Sequence, residues 1–486
     1  VRLRALIKEA YPELEAAAAK LPDVSVRGVE CDSRRIKEGF LFVAIRGVKQ
    51  DGSGFVAEAV KNGAVAVVGE AALDGVPVPF LRVPKSRDAA ARLATAFYGN
   101  PAKRLKCIGI TGTNGKTTSS YLLEHLLIKE GARPGVLGTI SYRFGGEETP
   151  AIETTPGPIR IQEMLARMLS VGCDHAVMEV SSHALDQGRV GGIPFQAALF
   201  TNFTQDHLDT HKTLETYFEC KAKLFAGLDG SAVALLNADD AWAMKLPART
   251  SARVVTYGMA PQADFRADSI RWHDGRTYFR LSAKGKQHTV ILPMIGTHNV
   301  YNALGAIATL ASLGHDAGRL CEGLADFSGV PGRLESVAGG QDFLIFVDFA
   351  HTPDGLENVL RSLRPYKKGK LITVFGCGGD RDRSKRPKMA RIAAELSDWV
   401  CVTSDNPRSE DPRAIAEEVV SGFPGNFRDF TTVLDRGKAI RQALLRAREG
   451  DIVLLAGKGH ERTQIIGDRV IPFNDREEAE KVISGH

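Results

Sequence analysis

Short apolar runs separated by Gly, Asp, Lys and Pro recur along this chain, and stretches with apolar residues at helical spacing lie between them. In the first hundred residues the runs are Phe40–Ile45, Ala64–Val68 and Phe80–Val83; in the middle they are Leu105–Ile110, His175–Val180, Ala197–Phe200 and Ala232–Leu236. Four more follow, Phe343–Val347, Leu371–Phe375, Val400–Thr403 and Ile452–Ala456. Such runs read as buried strands, apolar on both faces, and that burial needs a sheet covered by helices on two sides. Leu122, Leu123, Leu126 and Leu127 put one stripe on an intervening helix, and Ile440–Arg448 reads as another helix. The first twenty residues carry Arg2, Arg4, Lys8, Glu9, Glu13 and Glu15 among apolar positions, which predicts an amphipathic helix rather than a secretory signal.

Strands alternating with helices predict mostly parallel sheets and an α/β fold. The 486 residues exceed what one compact core supports. Turn clusters at Tyr98–Pro101 and Gly329–Gly332 divide the chain into three expected domains, 1–100, 101–333 and 334–486. The second is expected to be a P-loop parallel sheet, and the third a Rossmann-like domain without its own phosphate loop.

Composition narrows the function. With 43% hydrophobic and 25% charged residues, the chain is neither disordered, collagen-like nor a disulfide scaffold. Its 63 Lys and Arg against 58 Asp and Glu leave a net charge of +5, which does not require nucleic acid as a partner. The seven cysteines are scattered, with no CxxC pair, and read as small buried hydrophobes in a reducing compartment. No apolar run approaches the roughly 18 residues of a membrane span, so a cytoplasmic protein without membrane insertion is expected. The cluster Arg381, Arg383, Lys385, Arg386 and Lys388 lacks interleaved aromatics and reads as a solvated basic loop serving anionic substrates.

Thr111-Gly112-Thr113-Asn114-Gly115-Lys116-Thr117-Thr118 lies between a predicted strand and a predicted helix. Successive backbone N–H groups there can wrap phosphates, with Lys116 facing the β/γ-phosphates and the Thr117 hydroxyl available to Mg²⁺. The usual spacing would put glycine at the position of Ile110. Glu179, at the end of a strand run, is a carboxylate able to hold Mg²⁺ through oxygen.

The variant GTNGKTT resembles the signature of the Mur ligases, ATP-dependent amide-forming enzymes of peptidoglycan precursor synthesis. The resemblance runs from Asp32-Ser33-Arg34 to Gly457-Lys458-Gly459-His460-Glu461, nearly the whole chain. It implies a ligase that adds meso-diaminopimelate to the D-glutamyl side-chain carboxylate of UDP-N-acetylmuramoyl-L-alanyl-D-glutamate through an acyl phosphate. ATP and the two other small molecules are then the partners, with Mg²⁺ as cofactor, no nucleic acid, and a monomer expected.

Residue by residue, the resemblance places ATP on Gly112, Thr113, Asn114, Gly115, Lys116, Thr117, Thr118, Asn299, Asn302, Arg333 and Asp348. Asn299, or a threonine before it, also reads as an ordinary helix cap. Metal falls to Thr117, Glu179, His207 and Lys221, the last as a carbamate, with Lys116, Glu179, His207 and Lys221 as the catalytic set. From the residues alone, Lys221 and Lys223 are indistinguishable surface lysines; family spacing selects Lys221. The UDP-muramoyl dipeptide is assigned to Cys31, Ser33, Val48, Lys49, Gln50, Thr154, Thr155, Ser181, Gln187 and Arg189. Diaminopimelate is assigned to Arg381, Asp405, Asn406, Pro407, Arg408, Gly457 and Glu461.

Arg408 is the discriminating residue, because a guanidinium grips with two hydrogen bonds the far carboxylate that lysine lacks. Phe349 departs from a commoner family Tyr. Two rivals remain: a folylpolyglutamate-synthetase-like ligase, against which Asp405–Arg408 and the N-terminal segment argue, and a P-loop switch or motor.

Overall fold

The structure is a computed structural model and describes residues 1–47, 51–71, 73, 75–204, 211–273 and 275–485. Two compact units are present, one of residues 1–266 with 304–320, the other of 267–303 with 321–486.

In the first unit, β1 (Gly28–Glu30), β2 (Phe40–Ala44), β3 (Ala64–Gly69) and β4 (Phe80–Arg82) form a parallel sheet in that order. Helix Leu3–Ala10 buries Leu3, Leu6, Ile7 and Ala10 in one core with Ala89, Ala90 and Leu93 of helix Ser86–Phe97. The single N-terminal helix expected over twenty residues stops at Ala10. Pro12 excludes Tyr11 from helical geometry (φ −141°, ψ 73°), and a separate short helix resumes at Glu15–Ala18.

The larger sheet of this unit comprises β5 (Lys106–Thr111), β6 (Pro134–Leu137), β7 (Ser141–Phe144), β8 (Glu147–Pro150), β9 (His175–Glu179), β10 (Phe195–Phe200), β11 (Val233–Asn237) and β12 (Arg253–Gly258). Their order is β12-β11-β10-β5-β9-β6-β7-β8. Pairings from β12 to β6 are parallel, while β6/β7 and β7/β8 are antiparallel. The antiparallel extension was illegible as an apolar run, because every residue of β8 is exposed. The strand β5 lies between β10 and β9, so its loop opens beside the carboxyl ends of both neighbours.

A strand β13 (Phe265–His273) begins beside β12 at Phe265 and Arg266. In the second unit, β14 (Arg276–Ala283) and β15 (Lys286–Leu292) form an antiparallel hairpin. The main sheet there has β16 (Glu335–Ser336), β17 (Leu344–Asp348), β18 (Leu371–Phe375), β19 (Trp399–Val402), β20 (Phe430–Thr432) and β21 (Ile452–Ala456), in the order β16-β17-β21-β18-β19-β20. All pairs except β16/β17 are parallel. Strand alternation sends Phe346 and Leu454 into one core and Ile345, Val347, Val453 and Leu455 into the other, so both faces are covered. The observed α/β architecture is the one the apolar pattern predicts. Four adjacent strands, β17, β21, β18 and β19, therefore release their loops at one sheet edge, the carboxyl edge where ligands of such sheets bind. Among the described residues no helix is long and apolar enough to cross a membrane.

Candidate active site

In the first unit the loop after β5 enters helix Lys116–Lys129. Gly112 holds φ 143°, and a Cβ there would stand 1.9 Å from Thr201 Oγ1, so only glycine lets the loop lie against the end of β10. Gly115, at φ 86°, starts the helix, whose free N–H groups and dipole favour an anion. Lys116 Nζ donates to the Gly112 and Thr113 carbonyls at 2.9 and 2.8 Å.

Glu179, fully buried at the end of β9, accepts from Thr117 Oγ1 at 2.9 Å, Ser120 Oγ at 3.3 Å, and Thr139 N and Oγ1 at 3.0 and 2.8 Å. All of these donors are neutral, and among the described residues no cation pairs with this carboxylate. An anion held by rotatable hydroxyls is suited to a hard cation. One carboxylate and one hydroxyl match the sparse protein ligation of Mg²⁺, which retains water and phosphate oxygens. Among the described residues no cluster of three or more His, Cys, Asp or Glu has metal-holding geometry. Sequence reasoning missed Thr139; the signal was the Gly138-Thr139 pair after β6. A Cβ on Gly138 would meet Glu179 Oε1 at 2.5 Å.

Lys221, on helix Leu214–Ala226, is 1% exposed, donates to the Gly112 carbonyl at 2.8 Å and lies 4.5 Å from the Tyr217 ring centre. Lys223 is half-exposed and pairs with Asp186 at 3.1 Å. The expectation of two equivalent surface lysines is therefore corrected: helical phase turns one to the phosphate loop and the other to solvent.

Thr154, Thr155, Ser181, Gln187 and Arg189 gather next to Glu179. Thr154 Oγ1 lies 3.2 Å from Thr139 Oγ1, and Thr155 Oγ1 donates to the Glu179 carbonyl at 2.8 Å. Ser181 caps the following helix, and Arg189 donates to Gln187 Oε1, Glu153 Oε2 and the Thr155 carbonyl. Ser33 is buried elsewhere in this unit and donates to Glu58 at 2.6 Å. Cys31 is exposed, unlike the six other cysteines, and lines a cleft of about 1040 Å³ together with Arg34, Tyr98, Glu153 and Arg160. Val48, Lys49, Gln50 and His207 lie outside the described residues.

In the second unit, Asn299 and Asn302 are buried near the start of helix Thr297–Ser312, with Asn302 Nδ2 donating to Asn299 Oδ1 at 3.1 Å. Asp348, at the end of β17, accepts from Leu334 N and Ala350 N at 2.7 and 2.9 Å, yet burial raises its carboxyl above the ordinary range. The Phe349 ring sits between the Arg333 guanidinium, 5.5 Å away, and His460, 4.9 Å away. Burial, with Arg333 adding to it, lowers His460 to about 4, so the imidazole is neutral at neutral pH.

The loops after β18, β19 and β21 interlock. Gly379 N donates to the Asn406 carbonyl at 2.9 Å, and Arg408 Nη1 donates to the Gly379 carbonyl at 2.8 Å. Arg408 holds φ 53°, braced by the hairpin of β22 (Thr463–Ile466) and β23 (Arg469–Pro472) through Ile465 O and Gly467 N. Buried Lys458, which sequence reasoning passed over as part of a motif, bonds Asn406 Oδ1 at 3.2 Å and Glu461 Oε2 at 2.7 Å. Burial pushes Glu461 up, but Lys458 and Asn406 outweigh it and hold the carboxyl below its ordinary value. Asp405 is raised by burial against the pull of Arg436 and Lys458. Gly457 belongs to this cluster, since a Cβ there would meet Asp405 Oδ2 at 2.9 Å. Arg381 is exposed nearby, bonded to the Asp380 carbonyl at 3.4 Å.

In the basic cluster Arg381, Arg383 and Lys388 are solvated as expected, but Arg386 is not. Arg386 is fully buried in helix Lys385–Leu396 between Glu410 and Glu418, and Arg383 pairs with Glu418. A positive run hides such partners when the acids come from a distant loop and helix.

Comparison with known proteins agrees over nearly the full length. Three family models match: "Mur ligase family, catalytic domain" at 25–98, "Mur ligase middle domain" at 110–310, and "Mur ligase, glutamate ligase domain" at 332–459. The chain is 46% identical to the UDP-N-acetylmuramoyl-L-alanyl-D-glutamate–2,6-diaminopimelate ligase of Gloeobacter violaceus, over 96% of this chain and 95% of that one. It is 42% identical to the enzyme of the same description from Syntrophomonas wolfei, over 100% and 99%. A solved structure of a ligase so described superposes with a TM-score of 0.75 at 33% identity, covering 100% of this chain and 99% of that one.

Proposed function

This chain belongs to the Mur ligase family, and on that premise we propose that it joins meso-diaminopimelate to the D-glutamyl side-chain carboxylate of UDP-N-acetylmuramoyl-L-alanyl-D-glutamate at the expense of ATP. The observation that carries the substrate reading is Arg408: among the described residues its guanidinium has no carboxylate partner, although acids surround it. A diamino acid with a second carboxylate supplies the missing partner, and lysine does not.

The reaction has two steps. The D-glutamyl carboxylate attacks the γ-phosphorus of ATP, forming an acyl phosphate and releasing ADP. The free amine of diaminopimelate then attacks the acyl carbon, loses a proton, and expels inorganic phosphate. Lys116 and the helix N-terminus at which it stands stabilise charge on the transferring phosphoryl group. Thr117 and Glu179, with His207 and Lys221 as a carbamate, are the residues that would hold Mg²⁺, which neutralises phosphate charge when bound. Asn299, Asn302, Arg333 and Asp348 serve the nucleotide. Thr154, Thr155, Ser181, Gln187 and Arg189 position the dipeptide end of the sugar nucleotide, and Cys31 and Ser33, with 48–50, its uridine end. Glu461, kept ionised by Lys458, meets an ammonium of diaminopimelate, while Arg408 and Arg381 meet a carboxylate. Residues 1–100, 101–333 and 334–486 thereby divide the work among sugar nucleotide, ATP and amino acid, and such water-soluble substrates suit a cytoplasmic enzyme.

The test is mass spectrometry of the product made from ATP, Mg²⁺ and the UDP-muramoyl dipeptide with diaminopimelate and lysine offered together. The expected product is the diaminopimelate adduct. A lysine adduct, or ADP without a new amide, overturns the reading.

A further inference from the structure

Among the described residues Arg408 makes no ion pair, although Asp380 feels its charge and Glu410 stands two residues away. Asp380, Glu410 and Glu418 are each held by other groups. Asp380 accepts from Ser409 Oγ at 2.6 Å and Ser409 N at 3.2 Å. Glu410 accepts from Arg386 Nη1 and Nη2, both at 2.9 Å, and from Asp380 N at 2.7 Å. Glu418 accepts from Arg386 Nη1 at 2.7 Å and from Arg383. Arg386 Nη2 also donates to the Gly378 carbonyl at 3.3 Å, so its terminal nitrogens serve two carboxylates and the glycine loop at once. Arg386 is 0% exposed, and it is anchored on a helix, whereas Arg408 is on a loop and half-buried. The two guanidiniums donate to the carbonyls of adjacent glycines, Arg386 to Gly378 and Arg408 to Gly379, and a Cβ on Gly379 would lie 3.3 Å from Glu410 Cβ.

We infer that Arg386 is a positioning residue for substrate selection: by holding Glu410 it keeps that carboxylate off Arg408, whose guanidinium then meets the far carboxylate of the incoming diamino acid uncompensated. This rests on the reading of Arg408 as the group that selects diaminopimelate. Without Arg386, Glu410 is released next to Arg408 and competes with the substrate as an internal carboxylate.

Steady-state kinetics on the full-length enzyme test it. Arg386→Gln is expected to raise KM for diaminopimelate about tenfold or more and leave KM for ATP within about twofold, the size of one charged contact. Adding Glu410→Gln to that variant removes the competitor and is expected to bring KM back to within about threefold of the parent enzyme. The inference is overturned if the double variant is no better than the single one, if KM for diaminopimelate does not change, or if both KM values rise together. Should Arg386→Gln not fold, Arg386→Lys retains the charge without the fork; a rise of about threefold, reversed by Glu410→Gln, is expected, and absence of reversal counts against the inference. Arg408→Ala separates the two readings. If Arg408→Ala keeps the preference for diaminopimelate over lysine, the selector reading itself falls. If it loses that preference while the Arg386 variants keep both it and a normal KM, only the role of Arg386 falls.

Discussion

The phosphate loop and the diamino-acid loops solve opposite electrostatic problems. Around the phosphate loop the acid is left without a counter-charge among the described residues: Glu179 is held by hydroxyls and one amide, while Lys116 and Lys221 donate to carbonyls of the loop itself. Around Asp405–Arg408 three acids, Glu461, Glu410 and Glu418, are paired with the buried cations Lys458 and Arg386, Asp380 is held by Ser409, and among the described residues it is a guanidinium that lacks an anion. The first arrangement suits an incoming cation with phosphate, the second an incoming carboxylate. In each, the group reserved for the ligand is recognised by what its neighbours have been prevented from doing, since unpaired charge at a buried or half-buried position is costly unless a ligand completes it.

Removing Lys221 strikes the first region hardest. Lys221→Ala is expected to lower kcat at least about a hundredfold, the scale of a lost electrostatic partner of a transition state, with KM for diaminopimelate little changed. Bicarbonate is not expected to restore it, whereas short carboxylic acids restore part of the rate. Full activity in the variant removes Lys221 from the chemistry.

Gly379→Ala probes the second region with no change of charge. The added Cβ would stand 1.9 Å from the Pro407 carbonyl, which must shift and take Arg408 with it. KM for diaminopimelate is expected to rise about tenfold, as loss of one well-placed charged hydrogen bond would cause, with KM for ATP unchanged. A parallel rise in both would mean that the loop serves the fold rather than selection.

The two regions also differ in how far they could be read in advance. The phosphate loop is local: strand, glycines, lysine and helix follow one another within residues 106–129, and the structure places them as the pattern predicts. Glu179 was legible because it ends an apolar strand run. The buried status of Lys221 was not, because one turn of helix separates it from no distinctive neighbour and only the fold turns it inward. In the second region the strands were legible, and so were the motifs after them. The pairing of Arg386 with Glu410 and Glu418 was not, since those acids are 24 and 32 residues away and periodicity says nothing about which helix faces which loop. Likewise the hairpin β7/β8 carries no apolar run, and pairing rather than burial makes it a strand pair.

The smallest expected effect is on stability and belongs to Glu410. Hydrogen bonds from Arg386, and next from Asp380 N, lower its carboxyl from the ordinary 4.5 to about 2. An acid with a depressed value in the fold lends stability that is complete above pH 4.5 and lost as the pH falls through about 2. Denaturant unfolding of the parent enzyme and Glu410→Gln between pH 7 and pH 2 is therefore expected to show the parent more stable at neutral pH, by a margin kept small by the solvent that reaches Glu410. That margin closes as the acid range is crossed. In the phosphate-loop region the buried Thr201 hydroxyl donates to the Thr111 and Asn114 carbonyls and to no acid, so the corresponding comparison with Thr201→Val should give a gap independent of pH over the same range. A Glu410→Gln gap that also stays constant would mean that its carboxylate is not held by charge, and the contrast between the two regions would lose its electrostatic basis.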